Sequence, residues 1–256
     1  MEINGVTAII TGGASGLGAG AGRALASAGA KVALLDINRE LAEATAKDLG
    51  GIGIECDVSS EQSIKRAFDR VGSELGTPRI LVNSAGIGPH QRMLTKGEAH
   101  SSDMYQKVIA INLTGTFLCC NFAAQAMAQL PSDDQGERGV IVNVASISAY
   151  DSPGGGVAYA ASKAGVVGMT LPMARDLGNY GIRVMTIAPG MFETPLFRGS
   201  PGDISDRLAA NAPFPSRPGK PVEEFGELVR HIAENSFLNG EVIRLDAGNR
   251  MPARFG

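Results

Sequence analysis

Apolar positions along the chain fall into two alternating textures. Short, nearly continuous runs of valine, isoleucine and leucine are separated by longer stretches in which apolar residues recur every three to four positions. "VTAII" (6–10), "KVALLD" (31–36), "GIGIECD" (51–57), "RILVNSAG" (79–86), "GVIVNVAS" (139–146), "IRVMTIAPG" (182–190) and "GEVIRLDAG" (240–248) are of the first kind. Each reads as a strand covered on both faces. The stretches between them read as helices: the glycine turn to about Ala28, Arg39 to Leu49, Glu61 to Leu75, about 103–129, and the segment that holds Tyr159 and Lys163. Strand–helix alternation with right-handed crossovers makes a doubly wound α/β parallel sheet of about seven strands.

No internal repeat or low-complexity linker divides the 256 residues, so the pattern predicts one domain, 1–256. That length suffices for a substantial core. Two places depart from it. Seven of the 13 prolines lie between Pro189 and Pro221, which predicts an irregular flap over about 191–221 beside the sheet. Pro172 falls inside the helical stretch that carries Tyr159. Its missing N–H predicts a bend or break near Gly168–Pro172.

Composition narrows the function classes. Net charge is −3, with 44% hydrophobic and 19% charged residues, and there is no basic stripe for a nucleic acid. The opening "MEINGV" has neither a basic region nor an apolar core, and no run of about 18 apolar residues is present. The expectation is a cytoplasmic protein without membrane insertion. The three cysteines, Cys56, Cys119 and Cys120, read as buried free thiols. His90, His100 and His231 lack ligand spacing, so no metal site is expected.

"TGGASGLG" (11–18) follows the first strand directly and opens a helix. Glycines there let backbone amides approach a pyrophosphate, and the helix N-terminus favours its charge. Gly12, Ser15, Gly16, Leu17 and Gly18 are the candidate contacts. Gly20 and Gly22 continue into the helix at a cost in propensity, which suggests close packing on the sheet. Asp36 ends the second strand, where a carboxylate can accept from an adenosine ribose and repel a 2′-phosphate. This favours NAD over NADP; the alternative for Asp36 is a cap on the next helix. Asp57 and Val58 are candidates for the adenine edge.

The chemistry-bearing stretch is "VAYAASKAGVVGMT" (157–170). On a helix Tyr159 and Lys163 share one face. A free tyrosine has a pKa of about 10, and a neighbouring ammonium favours the phenolate. Lys163 is therefore expected to bring Tyr159 toward the working range of a general acid/base. Ser146, 13 residues earlier, ends the fifth strand, where ligands sit in open α/β sheets.

"TGGASGLG", "NSAG" (83–86), "NLTG" (112–115), "VAS" ending at Ser146, "YAASK" (159–163) and "PGMFETP" (189–195) occur in an order and spacing that resemble the short-chain dehydrogenase/reductase family over essentially the whole chain. The C-terminal half, with "NSFLNGEVIRLDAG", and the insertion "QRMLTKGEAHSSDMYQKVIAINLTG" are similar to its type 2 3-hydroxyacyl-CoA dehydrogenase group, also called type 10 17β-hydroxysteroid dehydrogenases. The resemblance implies hydride transfer between a substrate carbon and nicotinamide C4. It implies Tyr159 as acid/base, Ser146 orienting the substrate oxygen, and Asn112 holding a water that relays protons through Lys163. Asn83, Ser84, Ala85, Gly86, Pro189, Phe192 and Thr194 match positions around the cofactor. An acyl-CoA or hydrophobic alcohol substrate and a homotetramer are also implied. A 3-oxoacyl-carrier-protein reductase or hydroxysteroid/secondary-alcohol dehydrogenase is the alternative on the same scaffold. The group's animal members also serve as RNA-processing scaffolds; the acidic balance and intact Ser146, Tyr159 and Lys163 oppose a purely structural role here. Ile147, Met191, Phe192, Leu196, Phe197 and Phe214 are the expected apolar pocket wall. "DSPGGG" (151–156) predicts a small or mobile wall nearby.

Overall fold

The computed structural model describes residues 1–194 and 211–253. Its centre is a seven-stranded, wholly parallel sheet in the order β3-β2-β1-β4-β7-β8-β9. The strands are β1 (Thr7–Thr11), β2 (Lys31–Asp36), β3 (Ile52–Glu55), β4 (Pro78–Asn83), β7 (Gly139–Val144), β8 (Ile182–Pro189) and β9 (Val242–Leu245). A two-stranded antiparallel hairpin, β5 (Leu94–Thr95) and β6 (Glu98–Ala99), stands apart.

Neighbouring strand residues feed opposite cores because side chains alternate across a pleated strand. Ile10, Leu34, Val82 and Val142 pack on one face, with α1 (Gly16–Ser27) and α8 (Glu227–Glu234). Ile9, Leu35, Leu81 and Ile141 pack on the other, with α3 (Glu61–Glu74) and α5 (Gly115–Met127). Every residue of β1, β7 and β8 is buried, which explains why these runs lack polar alternation. Helix α2 (Arg39–Asp48) starts at Asn38, whose side chain accepts from the Leu41 N–H at 3.0 Å. Asn38, not Asp36, is that helix's cap.

Three expectations are refined or corrected. The long helix expected over about 103–129 is present as one continuous run, Ser102–Met127, made of α4 (Ser102–Ile109), a π-helical segment (Ala110–Thr114) and α5. Helix α7 (Val157–Gly178) runs unbroken through Pro172. Pro172 and Gly168 lie on its exposed side, so the carbonyl that loses its partner is open to water. Gly20 is not spaced for the sheet: a Cβ there would strike the backbone of Pro221, so its hydrogen admits the π-helical turn Pro221–Gly226 against α1. That turn and α8 give regular structure to a stretch whose prolines and charges mask the pattern.

Ser102–Met127 is the one run, among the described residues, long and apolar enough to cross a membrane by length and composition. Here it is a core element, with Cys119, Cys120, Ala123 and Met127 wholly covered.

Candidate active site

All parallel strands point their C-terminal ends at one cavity of about 880 Å³. It opens at the switch point between β1 and β4, where the chain reverses its winding and an open α/β sheet leaves a crevice.

The turn after β1 forms one end. Gly12 has φ of +62°, a conformation that disfavours side chains, and a Cβ there would press on the Ala85 backbone. Ser15 is the extended N-cap of α1, yet its side chain makes no capping bond. The first amides of α1 thus face the cavity as free donors, a ready anion site. Gly12, Ser15, Gly16 and Leu17 line it. Gly18 does not; it packs beneath the turn, against Gly12. Asp36 lines the cavity and is already oriented by Ala14 N–H (3.2 Å) and Asn38 N–H (3.0 Å). Each carboxylate oxygen keeps further accepting capacity. Asp57 and Val58 line the same end. Ile37, 72% exposed, and Cys56 join them; sequence reasoning missed both, although an apolar residue exposed directly after a strand-end carboxylate was a usable signal.

Ser84, Ala85 and Gly86 line the middle. Thr11 holds them: its carbonyl accepts from Ser84 N–H and its hydroxyl from Ala85 N–H, each at 3.2 Å. Asn83 is a correction, because it is buried in the sheet and does not line the cavity. Its amide donates to Asn143 Oδ1 at 2.9 Å and to Cys120 Sγ at 3.3 Å, tying β4 to β7.

Ser146, two residues past β7, accepts from Ser148 N–H at 3.1 Å and acts on the Tyr159 hydroxyl, whose pKa it lowers. Lys163 Nζ lies 5.7 Å from the centre of the Tyr159 ring. The spacing read from one helix face therefore holds in space. Electrostatics differ from expectation: burial pushes the Tyr159 pKa up, opposed by the Ser146 hydrogen bond. Lys163 donates to the Val144 carbonyl at 2.7 Å, and burial lowers its pKa to about 8. In the free site burial sets the direction of the phenol's shift.

Asn112 is fully buried in the π-helical segment and does not reach the cavity. Its Nδ2 donates to Ile87 O (2.9 Å) and Ser162 Oγ (3.1 Å), and its Oδ1 accepts from Ile87 N–H (2.9 Å). Ser162 Oγ in turn donates to Tyr159 O at 2.7 Å. Both Nδ2 donors are thus spent on protein groups, while Oδ1 keeps a second lone pair. A π-bulge at such a point places one buried polar residue that a regular helix would turn elsewhere.

Pro189, Met191, Phe192 and Thr194 line the cavity from the end of β8. Phe192 is buried edge-on to Phe225, 6.2 Å between ring centres. The flap's base closes here, with Glu193 N–H donating to Gly219 O at 2.9 Å and Gly219 N–H to Met191 O at 2.8 Å. Of the other expected wall residues, Ile147 is wholly buried away from the cavity and Phe214 is 84% exposed. Leu196 and Phe197 lie outside the described residues. The substrate end is lined by Pro153 and Gly154, from the expected "DSPGGG" wall, and by Ile87, His90, Lys107 and Met251, four residues that the sequence did not assign to the pocket.

The chain matches the family described as short chain dehydrogenase over residues 6–203. It belongs to that family. It is 46% identical to human 3-hydroxyacyl-CoA dehydrogenase type-2 over 98% of this chain and 97% of the relative. It is 39% identical to D-threitol dehydrogenase of Mycolicibacterium smegmatis, over 84% and 82%. Its fold matches the crystal structure of 3-hydroxyacyl-CoA dehydrogenase type-2 from Mycobacterium avium with a TM-score of 0.92 and 37% identity, covering 99% and 100%. This short-chain dehydrogenase is an oxidoreductase that uses a nicotinamide cofactor, and the uncapped α1 terminus, the glycine turn and Asp36 fit the phosphates and ribose of one.

Proposed function

We propose that the protein is an NAD-dependent 3-hydroxyacyl-CoA dehydrogenase. One observation carries the reading: Ser146, Tyr159 and Lys163 face the same cavity as the glycine turn and Asp36. The near full-length similarity to human 3-hydroxyacyl-CoA dehydrogenase type-2 supports the substrate class.

When bound, the dinucleotide supplies a hydride acceptor or donor and a positive ring charge. The chain supplies the rest. Gly12, Ser15, Gly16 and Leu17 hold the pyrophosphate, and Asp36 accepts from the adenosine ribose. Asp57 and Val58 hold the adenine edge, and Ser84, Ala85, Gly86, Pro189, Phe192 and Thr194 surround the nicotinamide end. Ser146 orients the substrate oxygen. Tyr159 donates its proton to a carbonyl in reduction and takes one from the alcohol in oxidation. Burial keeps Tyr159 in the protonated form that reduction needs; the Lys163 ammonium beside the ring favours the phenolate that oxidation needs. Asn112 is a positioning residue, clamping Ile87 and, through Ser162, the backbone of Tyr159.

The three buried thiols support a reducing, cytoplasmic setting. Apolar side chains exposed on the long helices, Phe117, Val157 and Leu171, support a homotetramer. The deciding assay compares NADH and NADPH with acetoacetyl-CoA. NADH is expected to be preferred by at least tenfold; a preference for NADPH would transfer the assignment to a biosynthetic 3-oxoacyl reductase.

A further inference from the structure

The cavity's substrate end includes Met251, from a segment no motif marks. The chain leaves β9 at Leu245, turns at Asp246–Gly248 and crosses back over the mouth of the cavity. Ala247 has φ of +54°, and Gly248 N–H donates to Asp246 Oδ1 at 3.0 Å. Asp246 Oδ2 accepts from Arg244 Nε at 2.8 Å and Arg250 Nη1 at 3.1 Å.

The far anchor is Asp151, at the end of the short helix α6 (Ser148–Asp151) that follows Ser146. Asp151 Oδ2 accepts from the Met251 N–H at 2.9 Å, and Asp151 Oδ1 pairs with Arg244 Nη2 at 3.3 Å. Arg244 Nη2 also donates to Asn249 O at 3.1 Å, and its guanidinium lies 5.0 Å from the centre of the Tyr150 ring. Both side chains of the ion pair are about one-fifth exposed, so solvent screens it less than a surface pair. Two residues beyond Met251, Ala253 O accepts from Gly154 N–H at 3.2 Å. Gly154 and Pro153 themselves line the cavity. They precede α7, which carries Tyr159. The glycine-rich loop that looks mobile in sequence is therefore tied across its width to the C-terminal segment.

We propose that residues 246–253 form a strap whose Met251 side chain is a specificity-determining wall of the substrate pocket, held against the loop before the catalytic helix by Asp151 and Arg244. The proposal rests on the dehydrogenase reading for its substrate but not for its geometry. An unbranched methionine at this wall fills volume that a longer or branched acyl chain needs. Asp151 sets where that wall stands, because it takes the Met251 amide and the Arg244 guanidinium at once.

Two measurements on the full chain test this. In the first, kcat/KM is measured with NAD for eight-carbon and four-carbon 3-hydroxyacyl-CoA, and in parallel for 2-octanol and 2-butanol. Met251→Ala is expected to move the long-to-short ratio at least about tenfold toward the long substrate, within what a few methylenes in an apolar pocket are worth. NAD affinity should stay within about threefold, and Met251→Leu, which keeps the side-chain volume, should keep the wild-type long-to-short ratio. A ratio unchanged within twofold in Met251→Ala overturns the specificity role. In the second, hydrogen exchange is followed without substrate. Asp151→Ala should speed exchange at the Met251 amide and at residues 152–156 at least tenfold while leaving β1 and β7 protected. Unchanged exchange at Met251 overturns the anchoring role. A wild type that turns over neither series sinks the dehydrogenase reading instead, and the strap then stands or falls on exchange alone.

Discussion

The two ends of the cavity are built by different means. The cofactor end comes from contiguous turns directly after β1, β2 and β3, and much of what it offers is backbone: the first amides of α1 and the close approach allowed by Gly12. The substrate end is assembled from Ile87–His90, Lys107, Pro153–Gly154, Met191 and Met251, five separate stretches that meet only after folding. A backbone-built site leaves a signature in glycine spacing, whereas a side-chain-built site needs only residues of suitable bulk and leaves none. Between them stand Ser146, Tyr159 and Lys163, which belong to both ends.

The largest expected effect separates chemistry from binding. Tyr159→Phe keeps the ring and removes the exchangeable proton, so turnover should fall about 10²–10⁴-fold. NAD affinity by fluorescence titration should stay within threefold. Residual turnover near wild type would remove Tyr159 from the acid/base role. The next effect is confined to the cofactor end. Asp36→Ala removes a charged acceptor worth about 1.5–3 kcal/mol, so NAD affinity should fall roughly tenfold to a hundredfold while NADP affinity does not fall. The long-to-short substrate ratio should be unmoved; a shift in that ratio would mean the two ends are not independent.

The smallest effect is a pH dependence at the junction. Burial lowers the Lys163 pKa from 10.5 to about 8. Between those values the folded state binds fewer protons than the unfolded state, so this group's contribution to stability rises with pH across the window. Below pH 8 the buried ammonium is carried at a cost. The thermal midpoint of the wild type, free of cofactor, should therefore gain relative to Lys163→Met as pH goes from 8 to 10. An equal response of the two proteins would show that Lys163 is not desolvated as described.

What could be read in advance follows the same division. The seven strands were legible because fully covered parallel strands must be apolar throughout; Gly12, Asp36 and Ser146 could be placed at the cavity because each adjoins a strand's C-terminal end, and Tyr159 and Lys163 because they sit four apart on one helix. Pro172 does not break α7 because its cost depends on exposure, which no local pattern records. Asn112 was legible by type but not by contact: its amide is committed to Ile87 and Ser162, on segments 25 and 50 positions away. Ile147 and Phe214 were chosen for apolarity alone, and one became core while the other faces water.

Sequence alone was enough for the sheet, the winding and the pairing of phenol with ammonium on α7. These depend on hydrophobic period, helix pitch and backbone freedom, which act within a few residues. Tertiary structure decided that Asn83 braces the sheet, that burial pushes the Tyr159 pKa up, and that Met251 meets the pocket. Those outcomes depend on how much water each group loses and which distant chain covers it, and such quantities exist only once the segments are packed together.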